Sequence, residues 1–210
     1  MGKQKIKKKY IFLGEEDSIN VELIINSFSF LKNKVHYILL CNKKDIIKKN
    51  YYRKKNIRIN EILNPIEFTN YRENMLNIFN IENISKMKYL NLLNQIKIAN
   101  NLSNITKYDL ITMPINKAIF KKNINFIGMT EHLGLINKKS TLMLMHGDVF
   151  SIIPMTTHIN VKNINKFITK KKINFFLKTI YENINSKKYR LKFKKIKFLC
   201  LNPHCGEDGT

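Results

Sequence analysis

The fold is decided near the start of the chain by Lys9-Tyr-Ile-Phe-Leu13, by Val35-His-Tyr-Ile-Leu-Leu-Cys41 and by the stretch between them. Both runs are short, apolar and rich in residues that favour β-strands. Between them, Asp17 or Ser18 could cap a helix that continues to about Leu31, with apolar residues at helical spacing. This strand–helix–strand opening predicts an α/β fold with a largely parallel sheet.

Helices and strands continue to alternate along the remaining sequence, with no internal repeat or linker. Residues 50–80 are the exception, because they show weak alternation and no clear helix caps. Two long segments have the apolar periodicity of amphipathic helices, and four short apolar runs have the length of strands. We therefore predict a helix from about Lys43 or Asp45, helices over 85–101 and 163–185, and strands over 110–112, 141–145, 149–155 and 193–200.

Composition places the chain among globular proteins that work in a reducing compartment. With 210 residues, of which 44% are hydrophobic, it can bury a substantial core. Its three cysteines, Cys41, Cys200 and Cys205, are too sparse for a disulfide framework, so we expect a cytoplasmic location. No apolar run approaches the roughly 20 residues of a membrane span, and the first residues lack the apolar region of a signal peptide.

The net charge of +23 raises the question of a nucleic-acid or anionic-membrane partner. The lysines are spread over the whole chain and form no motif with interleaved aromatic residues. A general drift in composition toward Lys, Asn and Ile is therefore the favoured explanation. Nucleic-acid binding remains an alternative that rests on charge alone. The same charge would still raise the affinity for anionic substrates such as phosphate esters.

A pair of histidines is the strongest indication of chemistry in the residues themselves. His158 follows one predicted strand, and His204 follows the next within Leu201-Asn-Pro-His-Cys-Gly-Glu-Asp-Gly-Thr210. If the two strands are parallel, both histidines lie at the same edge of the sheet, where they could hold a divalent cation. The alternative is a solvated loop histidine, or one hydrogen-bonded within its own turn. Cys205 could be a nucleophile, although a bystander thiol is more typical.

Two further groups of polar residues could contact a substrate. Lys117, beside Asn116, comes after the strand over 110–112 and could meet an anionic group. Thr130 and Glu131 lie at a predicted helix start, where they either cap the helix or contact a substrate. The sequence contains no glycine-rich nucleotide fingerprint, no P-loop and no nucleophile elbow.

Four motifs together resemble the 4-hydroxythreonine-4-phosphate dehydrogenase family of pyridoxal phosphate biosynthesis. The family's Pro-x-x-Lys is matched by Pro114-Ile-Asn-Lys117, and its Thr-Thr-His by Thr156-Thr-His158. Its Gly-His-Thr-Glu is matched by Gly128-Met-Thr-Glu131, and its Leu-Asn-Pro-His-Ala-Gly-Glu-x-Gly by residues 201–209, with Cys205 in place of Ala. Order and spacing agree for all four.

This resemblance implies a fold, a reaction and a set of site residues. The fold would be the two-lobed α/β/α fold of the isocitrate and isopropylmalate dehydrogenases, with lobes at 1–125 and 126–210. The reaction would be NAD-dependent oxidation of 4-phosphooxy-threonine, whose product loses carbon dioxide. A homodimer would hold a divalent metal (Zn, Mg or Co) through three histidines, two of which match His158 and His204. Lys117 and Asn116 would be catalytic, and Met129, Thr130 and Glu131 would bind the phosphorylated amino-acid substrate.

The chain also departs from the family pattern. Met129 replaces the histidine that contacts substrate, and His132 is the nearest residue that could compensate. The family's Gly-Asp-Pro-x-Gly-Ile-Gly-Pro-Glu is represented by residues 14–22, in which two glycines are replaced by Ser18 and Asn20. The family sequence continues for more than a hundred residues beyond the match, so we expect a fold that is incomplete at the C-terminus. A non-catalytic remnant of the enzyme is therefore the alternative function.

Overall fold

In a computed structural model, the structure describes residues 7–49, 55–120, 123–184 and 195–199. The chain divides into two compact units, Met1–Ser140 and Thr141–Thr210. The predicted boundary at residue 125 refers to the two lobes of the whole family fold. It stays a prediction. Within the described ranges, no helix is both long enough and apolar enough to cross a membrane.

The first unit is built on a parallel β-sheet. Its strands lie side by side in the order β3-β4-β2-β1-β5, and every neighbouring pair is parallel. This arrangement confirms the predicted α/β class. The strands are β1 (Lys8–Phe12), β2 (His36–Cys41), β3 (Ile59–Glu61), β4 (Leu76–Asn80) and β5 (Asp109–Thr112), and the helices are α1 (Asn20–Leu31), α2 (Lys43–Ile47), α3 (Lys88–Thr106) and α4 (Met129–Ile136).

Helices cover both faces of this sheet because successive side chains of a strand point to opposite faces. Tyr10 and Phe12 of β1 belong to the core beneath α3, whereas Ile11 and Leu13 belong to the core beneath α1 and α2. The central strand β2 is buried on both sides, with residues 38–40 fully inaccessible to solvent. Burial of both faces explains why its sequence is a continuous apolar run rather than an alternating one.

Residues 50–80, which the sequence left unassigned, contain two of the five strands that the structure describes in this sheet. The strand β4 lies between β3 and β2, so it is an interior strand. Its second residue, Asn77, is buried and uses its amide to hold the preceding turn: Oδ1 accepts from the Arg72 backbone N–H at 2.9 Å, and Nδ2 donates to the carbonyls of Arg72 and Met75. Because these hydrogen bonds satisfy its amide, Asn77 can be buried at a position where the pattern of a buried strand would have an apolar residue.

The strands that the structure describes in the second unit are short. The strands β6 (Met145–His146) and β7 (Ser151–Ile152) pair antiparallel as a hairpin. They lie where the sequence predicted longer strands, and they pair antiparallel although a largely parallel sheet was predicted. Residues 195–199 are described and are not in a strand, so the predicted strand over 193–200 is wrong for that part.

The single helix predicted over 163–185 is interrupted. A 3-10 turn at Val161–Asn163 leads into α5 (Ile164–Phe167), and a longer helix, α6 (Lys170–Ile184), follows. The break occurs because Ile168 is extended, and because Thr169 begins a new helix by accepting the Lys172 N–H on its hydroxyl at 3.2 Å. Threonine is a favoured N-cap residue. Thr169 was therefore a signal in the sequence for a new helix start, but the continuous apolar periodicity outweighed it in the prediction.

Candidate functional site

The parallel arrangement brings the loops after β1, β2, β4 and β5 to one edge of the sheet, the edge at which the strands end. In α/β proteins this carboxyl edge is the usual place for ligands. The predicted residues Asn116 and Lys117 lie in the loop after β5, and Glu15 lies in the loop after β1. The backbone N–H of Asn116 donates to Glu15 Oε2 at 3.0 Å, which joins the two loops directly.

Asn116 and Lys117 have different local roles. The Asn116 side chain accepts the Ala118 N–H at 3.0 Å and so caps the 3-10 turn Lys117–Ile119. The side chain of Lys117 reaches across to the next segment, where its ammonium donates to the carbonyl oxygen of Ile127 at 2.6 Å. Lys117 is therefore held at the start of α4 rather than being freely mobile.

The structure brings the Pro-x-x-Lys and Gly-Met-Thr-Glu segments together at the start of α4. Gly128 precedes this helix, and Met129, Thr130 and Glu131 form its first turn. A Cβ atom added to Gly128 would lie 2.6 Å from Glu131 Oε2 and 3.7 Å from Lys117 Nζ, so the carboxylate and the ammonium both face the same point. The free N–H groups and dipole at a helix start favour an anion, and a nearby ammonium strengthens that preference.

Met129 and His132 lie on the inner side of α4. Met129 is half-buried and packs against the core beneath α3. The His132 ring lies 5.1 Å from the Phe126 ring, centroid to centroid, and burial lowers the pKa of His132. The neutral imidazole is therefore favoured. His132 is placed against an aromatic side chain, and its role as a replacement for the missing histidine stays a prediction.

In the loop after β1, two glycines of the family pattern are replaced by Ser18 and Asn20. Gly14 has φ +76°, and an added Cβ would lie 2.7 Å from the Pro114 carbonyl oxygen, so this glycine is required. Neither Ser18 nor Asn20 has a positive φ. Asn20 is fully buried, and its Nδ2 donates to the carbonyls of Leu13 at 2.8 Å and Pro114 at 2.7 Å. Asn20 thus ties the ends of β1 and β5 together.

An acidic cluster, formed by Glu15, Glu16, Asp17 and Asp45, lies at the same edge and was missed by sequence reasoning. Burial, a hydrogen bond with Glu16 and the charge of Glu16 raise the pKa of Asp45 to about 7. Asp17 is exposed, and hydrogen bonds from the ammonium groups of Lys88 and Lys49 lower its pKa. The available signal was the run of three acidic residues at 15–17 in a chain with only 15 in total.

The predicted metal residues are not brought together in the described part of the chain. His158 belongs to the second unit, is exposed and has φ +55°. His204 and Cys205 lie outside the described residues. Among the residues that are described, no three His, Cys, Asp or Glu side chains are placed to hold a metal ion. The two-histidine site therefore stays a prediction.

Comparisons with known proteins match nearly the whole chain. The family model described as pyridoxal phosphate biosynthetic protein PdxA matches residues 33–210. A 4-hydroxythreonine-4-phosphate dehydrogenase from Aquifex aeolicus is 30% identical over 220 residues, which cover 97% of this chain and 65% of the relative. One from Hydrogenobaculum sp. is 39% identical over 102 residues, which cover 48% of this chain and 32% of the relative.

Solved structures show the same fold. A 4-hydroxythreonine-4-phosphate dehydrogenase structure from Klebsiella pneumoniae superposes with a TM-score of 0.78 at 16% identity, over 97% of this chain and 66% of that one. One from Burkholderia phymatum gives 0.74 at 18% identity, over 98% and 66%. At such identities the likeness establishes the fold alone. Nearly all of this chain is matched to the Aquifex relative, but it spans only 65% of that relative's length.

Proposed function

Because the chain belongs to the family of the pyridoxal phosphate biosynthetic protein PdxA, as its four motifs predicted, we propose that it supplies binding and catalytic residues to a 4-hydroxythreonine-4-phosphate dehydrogenase. The proposed reaction is the NAD-dependent oxidation of 4-phosphooxy-threonine, followed by loss of carbon dioxide, in the cytoplasm. The proposed assembly is a homodimer. The relatives carry this enzyme name, and the reaction of this chain is our inference from them.

One observation carries the proposal: the Lys117 ammonium lies beside the first turn of α4. Lys117, Thr130 and Glu131 come from two motifs of the family, and they meet at the carboxyl edge of the sheet. In our proposal the ammonium and the helix start bind the anionic part of the substrate. The Glu131 carboxylate, at the same point, accepts hydrogen bonds from the substrate's hydroxyl or amino group. Asn116 positions Lys117 by capping the turn in which it lies.

The proposed cofactors have different support. NAD, when bound, accepts the hydride from the substrate's hydroxyl-bearing carbon, and no residue is assigned to hold it. The described residues do not fit a divalent metal on their own, because no three potential ligands converge among them. For the described residues we therefore propose a role in substrate binding alone, through Lys117, Thr130 and Glu131.

The test is binding of 4-phosphooxy-threonine to the 210-residue chain by calorimetry, with NADH formation followed by absorbance in the same preparations. We expect Lys117→Met to weaken binding by about tenfold or more, the effect of losing one charged hydrogen bond. Lys97→Met is the matched control, because Lys97 is an exposed lysine on α3. Its affinity should stay within about twofold of the unaltered chain.

The outcomes separate the two functions under consideration. Binding that depends on Lys117, together with NADH formation, supports the dehydrogenase. Binding without NADH formation under saturating NAD and divalent metal favours the non-catalytic remnant, for which the packing of Met129 into the core is the structural argument. An unaltered chain that does not bind the substrate at all contradicts the proposed site.

A further inference from the structure

Two side chains that follow β1 hold the loop after β5, in which Lys117 lies. Asn20 Nδ2 donates to the Pro114 carbonyl oxygen at 2.7 Å, and Glu15 Oε2 accepts the Asn116 N–H at 3.0 Å. All of these residues belong to the first unit. We call the side chains of Glu15 and Asn20 the loop clamp. A loop that is bonded at two separate points has little freedom to shift along the edge of the sheet.

Gly14 makes the close approach of the two loops possible. Its φ is +76°, and an added Cβ atom would lie 2.7 Å from the Pro114 carbonyl oxygen and 3.1 Å from Ile115 Cγ2. A side chain at position 14 would therefore push the loop after β5 away from Glu15 and Asn20. The loop clamp thus acts where the two backbones already pack closely together.

The hydrogen bonds of Asn20 show that its main contribution is to the position of the loop. Its Nδ2 donates to the carbonyls of Leu13 and Pro114, but its Oδ1 is buried and has no hydrogen-bond partner among the described residues. An unsatisfied buried acceptor costs free energy comparable to what two such bonds contribute. The net contribution of Asn20 to the stability of the chain is therefore small, whereas its two bonds fix where Pro114 lies.

The hold on the loop is passed to Lys117 through Asn116. Glu15 fixes the Asn116 backbone, and the Asn116 side chain accepts the Ala118 N–H at 3.0 Å. Lys117 lies between these two bonded N–H groups, and its ammonium donates to the Ile127 carbonyl at 2.6 Å. A shift of Asn116 would therefore move the whole lysine away from the start of α4.

We propose that Glu15 and Asn20 are positioning residues for Lys117, which hold its ammonium where it binds the anionic part of the substrate. Asn20 stands where the family pattern has a glycine, and a glycine has no side chain that could donate to Pro114. This chain therefore holds the loop with a bond that the family pattern lacks. The inference rests on the proposed function for its substrate, whereas the hold on the loop is measured without one.

The first measurement is amide hydrogen exchange at Asn116, followed by NMR on the full chain without substrate. Glu15→Ala removes the acceptor of this N–H, so we expect exchange to become about tenfold faster. Glu15→Gln keeps an amide oxygen as acceptor and should restore most of the protection. Asn20→Gly should also accelerate exchange, with little change in melting temperature. Glu67→Ala, which removes an exposed carboxylate from a distant turn, is the control and should have no effect.

The second measurement is the affinity for 4-phosphooxy-threonine by calorimetry. Glu15→Ala and Asn20→Gly should each weaken binding by about fivefold. Glu15→Gln should keep or raise the affinity, because it removes a negative charge near the anion site and retains the acceptor. In a chain that already carries Lys117→Met, Asn20→Gly should cause no further loss, because no ammonium is left to position. A purely structural role of Asn20 would instead give additive losses.

The two measurements separate the failure of this inference from the failure of the proposed function. Unchanged Asn116 exchange in both Glu15→Ala and Asn20→Gly overturns the loop clamp, even if the substrate binds. Additive losses with Lys117→Met, or equal losses in Glu15→Ala and Glu15→Gln, overturn the positioning role. If the unaltered chain does not bind the substrate, the proposed function is contradicted, and with it the role of the clamp in binding.

Discussion

The two units of the chain use their apolar residues in opposite ways. In the first, residues 37–41 of the central strand β2 are buried, with helices over both faces of the sheet. In the second, the strands of the hairpin are two residues each, and the turn between them exposes Val149 to 93% and Phe150 to 68%. The family model matches residues 33–210, which include most of the first unit and all of the second.

The difference teaches that a shared family pattern does not imply an equal degree of packing. A parallel sheet requires distant segments to pair and helices to cover it, and each strand then gains contacts on every side. A hairpin whose two strands have two residues each needs only local contacts and buries little. Substitutions should therefore have large effects on stability in the first unit and small effects in the second.

The largest contrast should come from large-to-small substitutions. Leu40→Ala removes a fully buried side chain from β2 and should lower the free energy of unfolding by about 2–5 kcal/mol, since it leaves a cavity. Phe150→Ala should change it by no more than about 0.5 kcal/mol. Denaturant titration of the two variants measures both values. A cost for Phe150→Ala as large as that for Leu40→Ala would show that the hairpin turn is buried in solution.

The second contrast concerns the pH dependence of stability. Asp45 has its pKa raised from 3.8 to about 7 in the folded chain, so the folded state holds its proton more tightly than the unfolded state. Its contribution to stability is therefore complete below pH 4 and is lost as the pH rises to 7, by about 2–4 kcal/mol.

Asp45→Asn should remove this loss, and the variant's free energy of unfolding should fall less between pH 4 and pH 7. Asp148→Asn, which removes a charge from an exposed position in the second unit, is the control. We expect Asp148→Asn to change the pH dependence of the free energy of unfolding less than Asp45→Asn does. Equal slopes in the unaltered chain and in Asp45→Asn would contradict the assignment of the titration to Asp45.

A third contrast compares one glycine from each unit. Gly14 has a positive φ, and a Cβ would meet a backbone oxygen at 2.7 Å, so Gly14→Ala should cost about 1–3 kcal/mol. Gly147 has no positive φ, and its closest contact would be 3.0 Å, to the Phe150 carbonyl oxygen. Gly147→Ala should therefore cost less than about 1 kcal/mol. Thermal unfolding of the two variants ranks them, and a reversed order would refute the argument.

The smallest contrast concerns exposed ion pairs. Asp17 bonds to two lysines and has a lowered pKa, so its contribution is present above pH 4 and is lost as the pH falls further. Because Asp17 is exposed, Asp17→Asn should cost no more than about 1 kcal/mol at neutral pH. Glu182→Gln breaks a single pair on α6, with 3.9 Å between Lys178 Nζ and Glu182 Oε1, and should cost less than about 0.5 kcal/mol. High salt should reduce both effects.

Sequence reasoning located the elements whose signals are local. The strands β1, β2 and β5 and the helix α1 were predicted to within two residues, because apolar runs marked them. The predicted cap of α1 was wrong: Ile19 occupies the N-cap position without a side-chain cap bond, and the Ser18 hydroxyl only accepts the Asn20 N–H at 3.2 Å. The helix α3 continues to Thr106, beyond the predicted end at 101, and is terminated by Lys107 in the left-handed conformation. Glycine usually occupies such a position, so a lysine gave no stop signal.

The missed elements are those whose stability depends on distant partners. The strand β4 has polar Asn77 within it, and this residue is acceptable only because the turn before β4 and Asn60 of β3 use its amide. At the candidate site, the motifs identified Lys117, Thr130 and Glu131 as residue types. They did not reveal that Lys117 would be tied to the Ile127 carbonyl at the start of α4.

The sequence by itself determined the family and the α/β class, because motif order and the lengths of apolar runs are properties of the linear chain. It also placed Asn116 and Lys117 after a strand. The tertiary structure alone decided that Asn20 joins the end of β1 to Pro114 after β5, and that burial and the neighbouring Glu16 raise the pKa of Asp45. These relations depend on distances between residues far apart in the chain, and such distances are set only when the sheet and its helices pack together.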